Sequence, residues 1–189
     1  MPTRILTRDE LLERLMGSFR DSGYDGASIA ELSAITGLGK SSLYHHFPGG
    51  KADMAQHVLE HLEATLETQL FEPLRSQASP QAKLSGMLDA LSAFYDEGRR
   101  ACLLERLCAS VDRSNFRRPL ARTFERWIGA IEALARDAGL SEVLARRRAE
   151  DMVVRIEGAL VVSAGTGDTG VFIRTIADLR ASLLTGSKG

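Results

Sequence analysis

Several groups of residues in this 189-residue chain have types and spacings that could do chemistry. His57, Glu60 and His61 spell H-x-x-E-H, a pattern in which two histidines share a zinc ion and the glutamate serves as base. A zinc-dependent hydrolase is the enzyme reading. Both histidines lie away from the apolar stripe of Met54, Val58, Leu62 and Leu66, on the side expected to meet solvent. No third ligand is identifiable, so a polar helix face is the better reading, with no metal and no cofactor. Gly165, Gly167 and Gly170 spell G-x-G-x-x-G. A dinucleotide site needs a strand before it and a second strand after it, and too little chain follows Gly170 to build one. A loop between helices accounts for it. Cys102 and Cys108 match neither a zinc spacing nor a secreted disulfide framework. They read as free thiols of a cytoplasmic protein, buried by default, with thiol sensing as the functional alternative.

A different chemistry gathers between Ser28 and Lys51. The net charge of the chain is −1, so its total does not announce a polyanion as partner. Locally, no carboxylate occurs between Glu31 and Asp53, whereas Lys40 and Lys51 do. A surface that approaches phosphate must shed like charge whatever the total. The same stretch reads as helix, turn, helix: Ser28 to Ile35, then Thr36-Gly37-Leu38-Gly39, then Lys40 to Phe47. Gly37 permits the sharp turn, and Leu32, Leu43 and Phe47 pack inward. That leaves Lys40, Ser41, Ser42, Tyr44, His45 and His46 as the polar content of the second helix. Short hydroxyls allow close approach, lysine reaches guanine or phosphate, and Tyr and His donate to phosphate oxygens.

The elements that must hold this segment are helical throughout. Thr7-Arg8-Asp9-Glu10 has the capping-box spacing, with Leu6 and Leu11 as a staple and Leu11, Leu15 and Phe19 as its stripe. Gly23 is expected to end that helix. Ser28 to Glu31 forms a second box. A longer helix begins near Lys51 and is limited by Pro73. Ser79-Pro80 starts the next, ended by Gly98. Others follow around Leu104, from Leu120 to Gly139, from Ser141, and from Phe172 to Leu183. The expectation is an all-α chain of about nine helices. No stretch is long and apolar enough for a membrane span, and the N-terminus lacks a signal-peptide core. The helix holding Val153, Val154, Ile156, Leu160, Val161 and Val162 is apolar on several sides, which points to a second subunit as cover. Ile156, Leu160, Phe172, Ile176, Leu179 and Leu183 are the expected seam.

Phe19, Gly23-Tyr24, Ser28, Leu32-Ser33, Gly37-Leu38-Gly39-Lys40-Ser41-Ser42-Leu43-Tyr44-His45-His46-Phe47 and Lys51 together resemble the tetracycline-repressor (TetR)/AcrR family of bacterial transcriptional regulators. The resemblance covers roughly the first quarter of the chain. It implies an N-terminal three-helix DNA-binding domain, residues 1–50, and a C-terminal ligand-binding and dimerisation domain, residues 51–189. It implies a repressor, not an enzyme, that binds palindromic operator double-stranded DNA as a homodimer and is released by a small-molecule inducer. By position, Ser28 would bind a phosphate; Lys40, Ser41, Ser42 and His45 would face the groove; Tyr44 and Lys51 would contact the backbone. Gly39 stands where the family usually has Ser, and the spacing from Phe47 to Lys51 is one residue longer than usual. That variant is similar to the LmrA/YxaF branch. The inducer pocket is expected around Met87, Leu91, Phe94, Leu104, Cys108, Phe124, Trp127 and Glu157.

Overall fold

The computed structural model describes residues 6–185 except Asp112. Among them are nine α-helices and no strand. The order is α1 (Arg8–Gly26), α2 (Ile29–Thr36), α3 (Lys40–His46), α4 (Gly50–Leu66), α5 (Pro80–Phe94), α6 (Leu103–Cys108), α7 (Arg117–Asp137), α8 (Glu142–Thr166) and α9 (Gly170–Ser182). None of these helices is long and apolar enough to cross a membrane.

The chain forms two compact units: the first takes it up to Ala64 together with Leu103–Leu120, and the second takes Thr65–Cys102 and the chain from Ala121 onward. This grouping cuts the chain elsewhere than at residue 50, because most of α4 stays with the first helices and α6 packs on α1. Arg106 Nε donates to the Arg20 carbonyl at 3.1 Å, the Asp25 carboxylate accepts from Ser110 Oγ and the Val111 N–H, and Tyr24 meets Phe116 edge-on at 5.0 Å.

Helix starts follow their caps. Thr7 and Glu10 close the expected box reciprocally, at 3.2 and 3.0 Å. Ser79 and Ser141 accept from the backbone three residues on. At α2 only half of the box forms. Ser28 accepts from the Glu31 N–H, but the Glu31 carboxylate accepts from Ser22 Oγ on α1 at 2.8 Å instead of turning back. Gly23 has positive φ as expected, yet it kinks α1 rather than ending it, and the helical stretch runs on to Gly26.

In the second unit, two ends differ from the sequence expectation. α5 stops at Phe94, four residues before Gly98, because Asp96 and Glu97 take left-handed backbone ahead of the glycine. Gly98 itself has φ +90, and an added Cβ would lie 2.7 Å from Phe172 Cβ, so α9 docks on the bare backbone there. Pro73 does not simply end α4. Proline lacks an N–H and crowds the carbonyl four residues back. The helix widens ahead of it into a π turn, Glu67–Phe71, and tightens into a 3-10 turn, Glu72–Arg75. This turn, the start of α5 and the second half of α7 wall a cleft of about 580 Å³. The glycines at 165, 167 and 170 do form the α8–α9 loop, with Gly167 as a left-handed cap.

Candidate nucleic-acid interface

The site is built from α2, a glycine turn and α3. Gly37 sits in the left-handed region, φ 71 and ψ 8, and its N–H reaches the carbonyls of Ser33 and Ala34. Side-chain hydroxyls satisfy the rest of the turn. Ser33 Oγ donates to the Leu38 carbonyl at 2.6 Å, and Thr36 Oγ1 donates to Leu32 and accepts from the Leu38 N–H. Arg14, on α1, donates to the Ile35 carbonyl at 3.1 Å and so caps the end of α2. Sequence reasoning missed Arg14, and its only signal is a basic residue at the edge of an amphipathic stripe.

α3 is seven residues long, and Leu43 is its one buried side chain. Leu32, Leu43 and Phe47 are fully buried together, which fixes the helix by one face. Lys40, Ser41, Ser42, Tyr44, His45 and His46 are all exposed. Gly39 is the N-cap and supplies no side-chain bond, as its identity demands. Ser28 is exposed as well. Its oxygen accepts from the Glu31 N–H, which leaves its hydroxyl proton for an outside acceptor. Tyr44 packs its ring edge on Gly50, whose φ of +69 demands glycine and whose added Cβ would stand 3.5 Å from the ring. The phenol is thereby held at the surface.

Lys51, expected at a phosphate, makes its contacts within the first unit. Its ammonium donates to the carbonyls of Tyr24 at 2.8 Å and Ala27 at 3.2 Å and lies 4.5 Å from the centre of the Tyr24 ring. It ties the first turn of α4 to the end of α1. Asp53 completes this junction: its carboxylate accepts from the Gly49 N–H and pairs with His57 at 3.1 Å. The histidines of H-x-x-E-H are thus structural. His57 also reaches the Asp53 carbonyl, and His61 pairs with Glu13 at 2.9 Å. Both are partly buried rather than solvated. No group of three His, Cys, Asp or Glu able to hold a metal occurs among the described residues. The hydrolase reading has no support.

The residues expected to form a ligand pocket lie mostly in cores. Met87, Leu91, Leu104 and Trp127 are buried, Phe94, Phe124 and Glu157 are partly buried, and Cys108 is exposed. None of the eight lines the 580 Å³ cleft. Tyr95, Cys102 and Glu157 form a polar chain inside the second unit: the Tyr95 hydroxyl donates to Cys102 Sγ at 3.5 Å, and the thiol donates to Glu157 at 3.2 Å. The six residues expected at a seam between subunits are buried. Ile156, Leu160, Phe172, Ile176, Leu179 and Leu183 are turned into the protomer's own core. On the same two helices, Val154, Val161, Val162 and Ile173 are the large apolar residues left exposed beyond the first turn of α8.

An all-helical chain with this outward-facing second helix has the build of a helix-turn-helix transcriptional regulator. Residues 11–58 match the family model described as bacterial regulatory proteins, tetR family. Residues 80–178 match that of the LmrA/YxaF-like transcriptional regulators' C-terminal domain. The chain belongs to the tetR family of bacterial transcriptional regulators, in its LmrA/YxaF-like group. Such proteins are generally not enzymes. It is 24% identical over 162 residues to the HTH-type transcriptional regulator LmrA of Bacillus subtilis (strain 168), covering 83% of this chain and 86% of that one. It is 28% identical over 155 residues to the HTH-type transcriptional regulator CymR of Pseudomonas putida, covering 78% and 72%. A TetR transcriptional regulator from Legionella pneumophila shares the fold with a TM-score of 0.84 at 17% identity, over 95% of this chain and 99% of that one.

Proposed function

We propose that this protein is a ligand-responsive repressor that binds palindromic operator DNA as a homodimer and leaves it when a small-molecule inducer binds. The observation that carries the DNA reading is the exposure of six of the seven α3 side chains while Leu43 alone anchors the helix. Lys40, Ser41, Ser42 and His45 present donors to base edges, with Gly39 giving the backbone close approach. Tyr44 and Ser28 donate to phosphates on either side. Lys51 supports them by fixing the junction beneath Tyr44 rather than by touching DNA.

Two copies of α3 would read half-sites about 34–36 Å apart, one helical turn. The exposed stripe of Val154, Val161, Val162 and Ile173 supports a two-fold seam on α8 and α9. Release requires that the inducer favour a conformation whose heads are wrongly spaced. A coupling of about 1–3 kcal/mol would weaken operator binding some 5–150-fold. Selection of bound fragments from random DNA at a stated salt concentration tests the reading. A two-fold symmetric consensus, lost on combined Lys40→Ala and Tyr44→Ala replacement, is the expected result. Recovery of no enriched sequence by the folded dimer would remove it.

A further inference from the structure

We propose that the cleft walled by the π turn, the start of α5 and the second half of α7 is an effector site for a small amphipathic anion, an aromatic or alkyl carboxylate, with Lys83 and Arg126 as its charge partners. The inference rests on the ligand-responsive reading above and names the ligand class. At about 580 Å³ the cleft has the size of a small-molecule site. All of it lies within the second unit.

Its chemistry is one-sided. The ionisable residues that line it are Arg75, Lys83 and Arg126 against Glu67 and Asp137, an excess of cation. Glu67 is already committed: it accepts from Arg75 and from Arg126, both at 2.5 Å, and sets the direction in which the two guanidiniums point. Lys83 is the residue that most asks for a ligand. Its side chain is only 9% exposed, and its ammonium has Asp137 at 3.4 Å, a long contact from a carboxylate that is itself 60% exposed. Burial makes such a charge costly unless it is closely paired, and an incoming carboxylate would supply that pairing. Phe71, Leu74 and Leu134, each nearly fully buried, floor the cleft for an apolar body.

Gly129 adds an independent observation. It lies in the middle of α7, lines the cleft, and an added Cβ would meet nothing within 4 Å. Glycine there is less favourable to the helix than any residue but proline. The same open space lies beside Gly17, Gly86, Gly158 and Gly165, so what sets Gly129 apart is its place in the cleft wall. The π turn opposite, which Pro73 imposes on the end of α4, forms the facing wall of the cleft.

The test is calorimetric titration of the full chain with 1-naphthoate, 1-naphthamide and 1-naphthylmethylammonium, followed by the same ligands added to the operator complex. The proposal expects the acid to bind at least tenfold more tightly than the amide, with no heat from the cation. Lys83→Gln should remove that preference while leaving the amide unchanged. Gly129→Leu, which fills the cleft without touching a charge, should abolish binding of both; should it fail to melt cooperatively, Lys83→Gln decides alone. Equal binding of acid and amide, preference for the cation, or wild-type affinity in Lys83→Gln would overturn the site. If the acid binds as expected but leaves the operator complex intact, the anion site stands and the inducer reading fails. Absence of operator binding by a protein that still binds the acid likewise counts against the regulator reading alone.

Discussion

Lys40 and Tyr44 stand on the same exposed helix but offer DNA different things. A lysine that neutralises a phosphate releases counterions, so Lys40→Ala should lower the slope of log K against log salt by about 0.9 if its partner is a phosphate. If it reads a guanine, the loss is about 1–3 kcal/mol at one base position instead. Tyr44→Phe removes a donor without disturbing the packing on Gly50, and should weaken all sequences alike. Fluorescence anisotropy over a salt series separates the cases. Lys51 provides the contrast. Its ammonium holds two carbonyls inside the first unit, so Lys51→Met should cost about 1–3 kcal/mol of stability and leave the salt slope unchanged. A reduced slope with an unaltered melting temperature would return it to the phosphate. The residue identities of α3 were readable from sequence because type and spacing alone set them. The Lys51 placement was not, since it depends on where the kink at Gly23 leaves the carbonyls of Tyr24 and Ala27.

For the helices, Gly98 and Glu67 carry separate expectations. Gly98→Ala adds a carbon 2.7 Å from Phe172 Cβ on backbone at φ +90, and should destabilise by roughly 2–4 kcal/mol in chemical denaturation. A loss below ~1 kcal/mol would mean that α9 is free to shift. Glu67 gives a pH dependence. Hydrogen bonds from Arg75 and then Arg126 hold its carboxyl below the usual glutamate range, with burial opposing. A folded-state value below the unfolded one means the stabilisation is complete at neutral pH and is lost as pH falls through the folded-state value. Glu67→Gln should therefore flatten the acid limb of the stability curve relative to wild type. Helix ends marked by a single glycine, at Gly37 and Gly139, were legible because one residue decides each. The ends at Phe94 and Leu66 were not. Two non-glycine residues in left-handed backbone and a π turn are set by tertiary packing and by a proline several residues downstream, which local patterns do not encode.

At the scale of the molecule, the proposed homodimer is what would present two copies of α3. Val161→Glu places a charge in the middle of the exposed α8 stripe without touching the core. It should convert the dimer to monomer in sedimentation velocity and reduce operator affinity at least a hundredfold, while helicity is kept. A dimer that survives this change would move the seam elsewhere. The sequence reads α8 as apolar on several sides. It could not show which stripe went inward, because Ile156 and Leu160 are as apolar as Val154 and Val161, and only their neighbours in space distinguish them.

The dependence of α1 on α6 sets a rule for dividing this chain. Tyr24, Asp25 and Arg20 find partners in Phe116, Ser110, Val111 and Arg106, encoded far downstream. A fragment ending at Ala64 would leave that flank bare and should purify as an aggregate or a loosely folded species. A transplanted reading head would need to travel with Leu103–Leu120, so genetic exchange of heads between relatives is obliged to carry two separate pieces of gene.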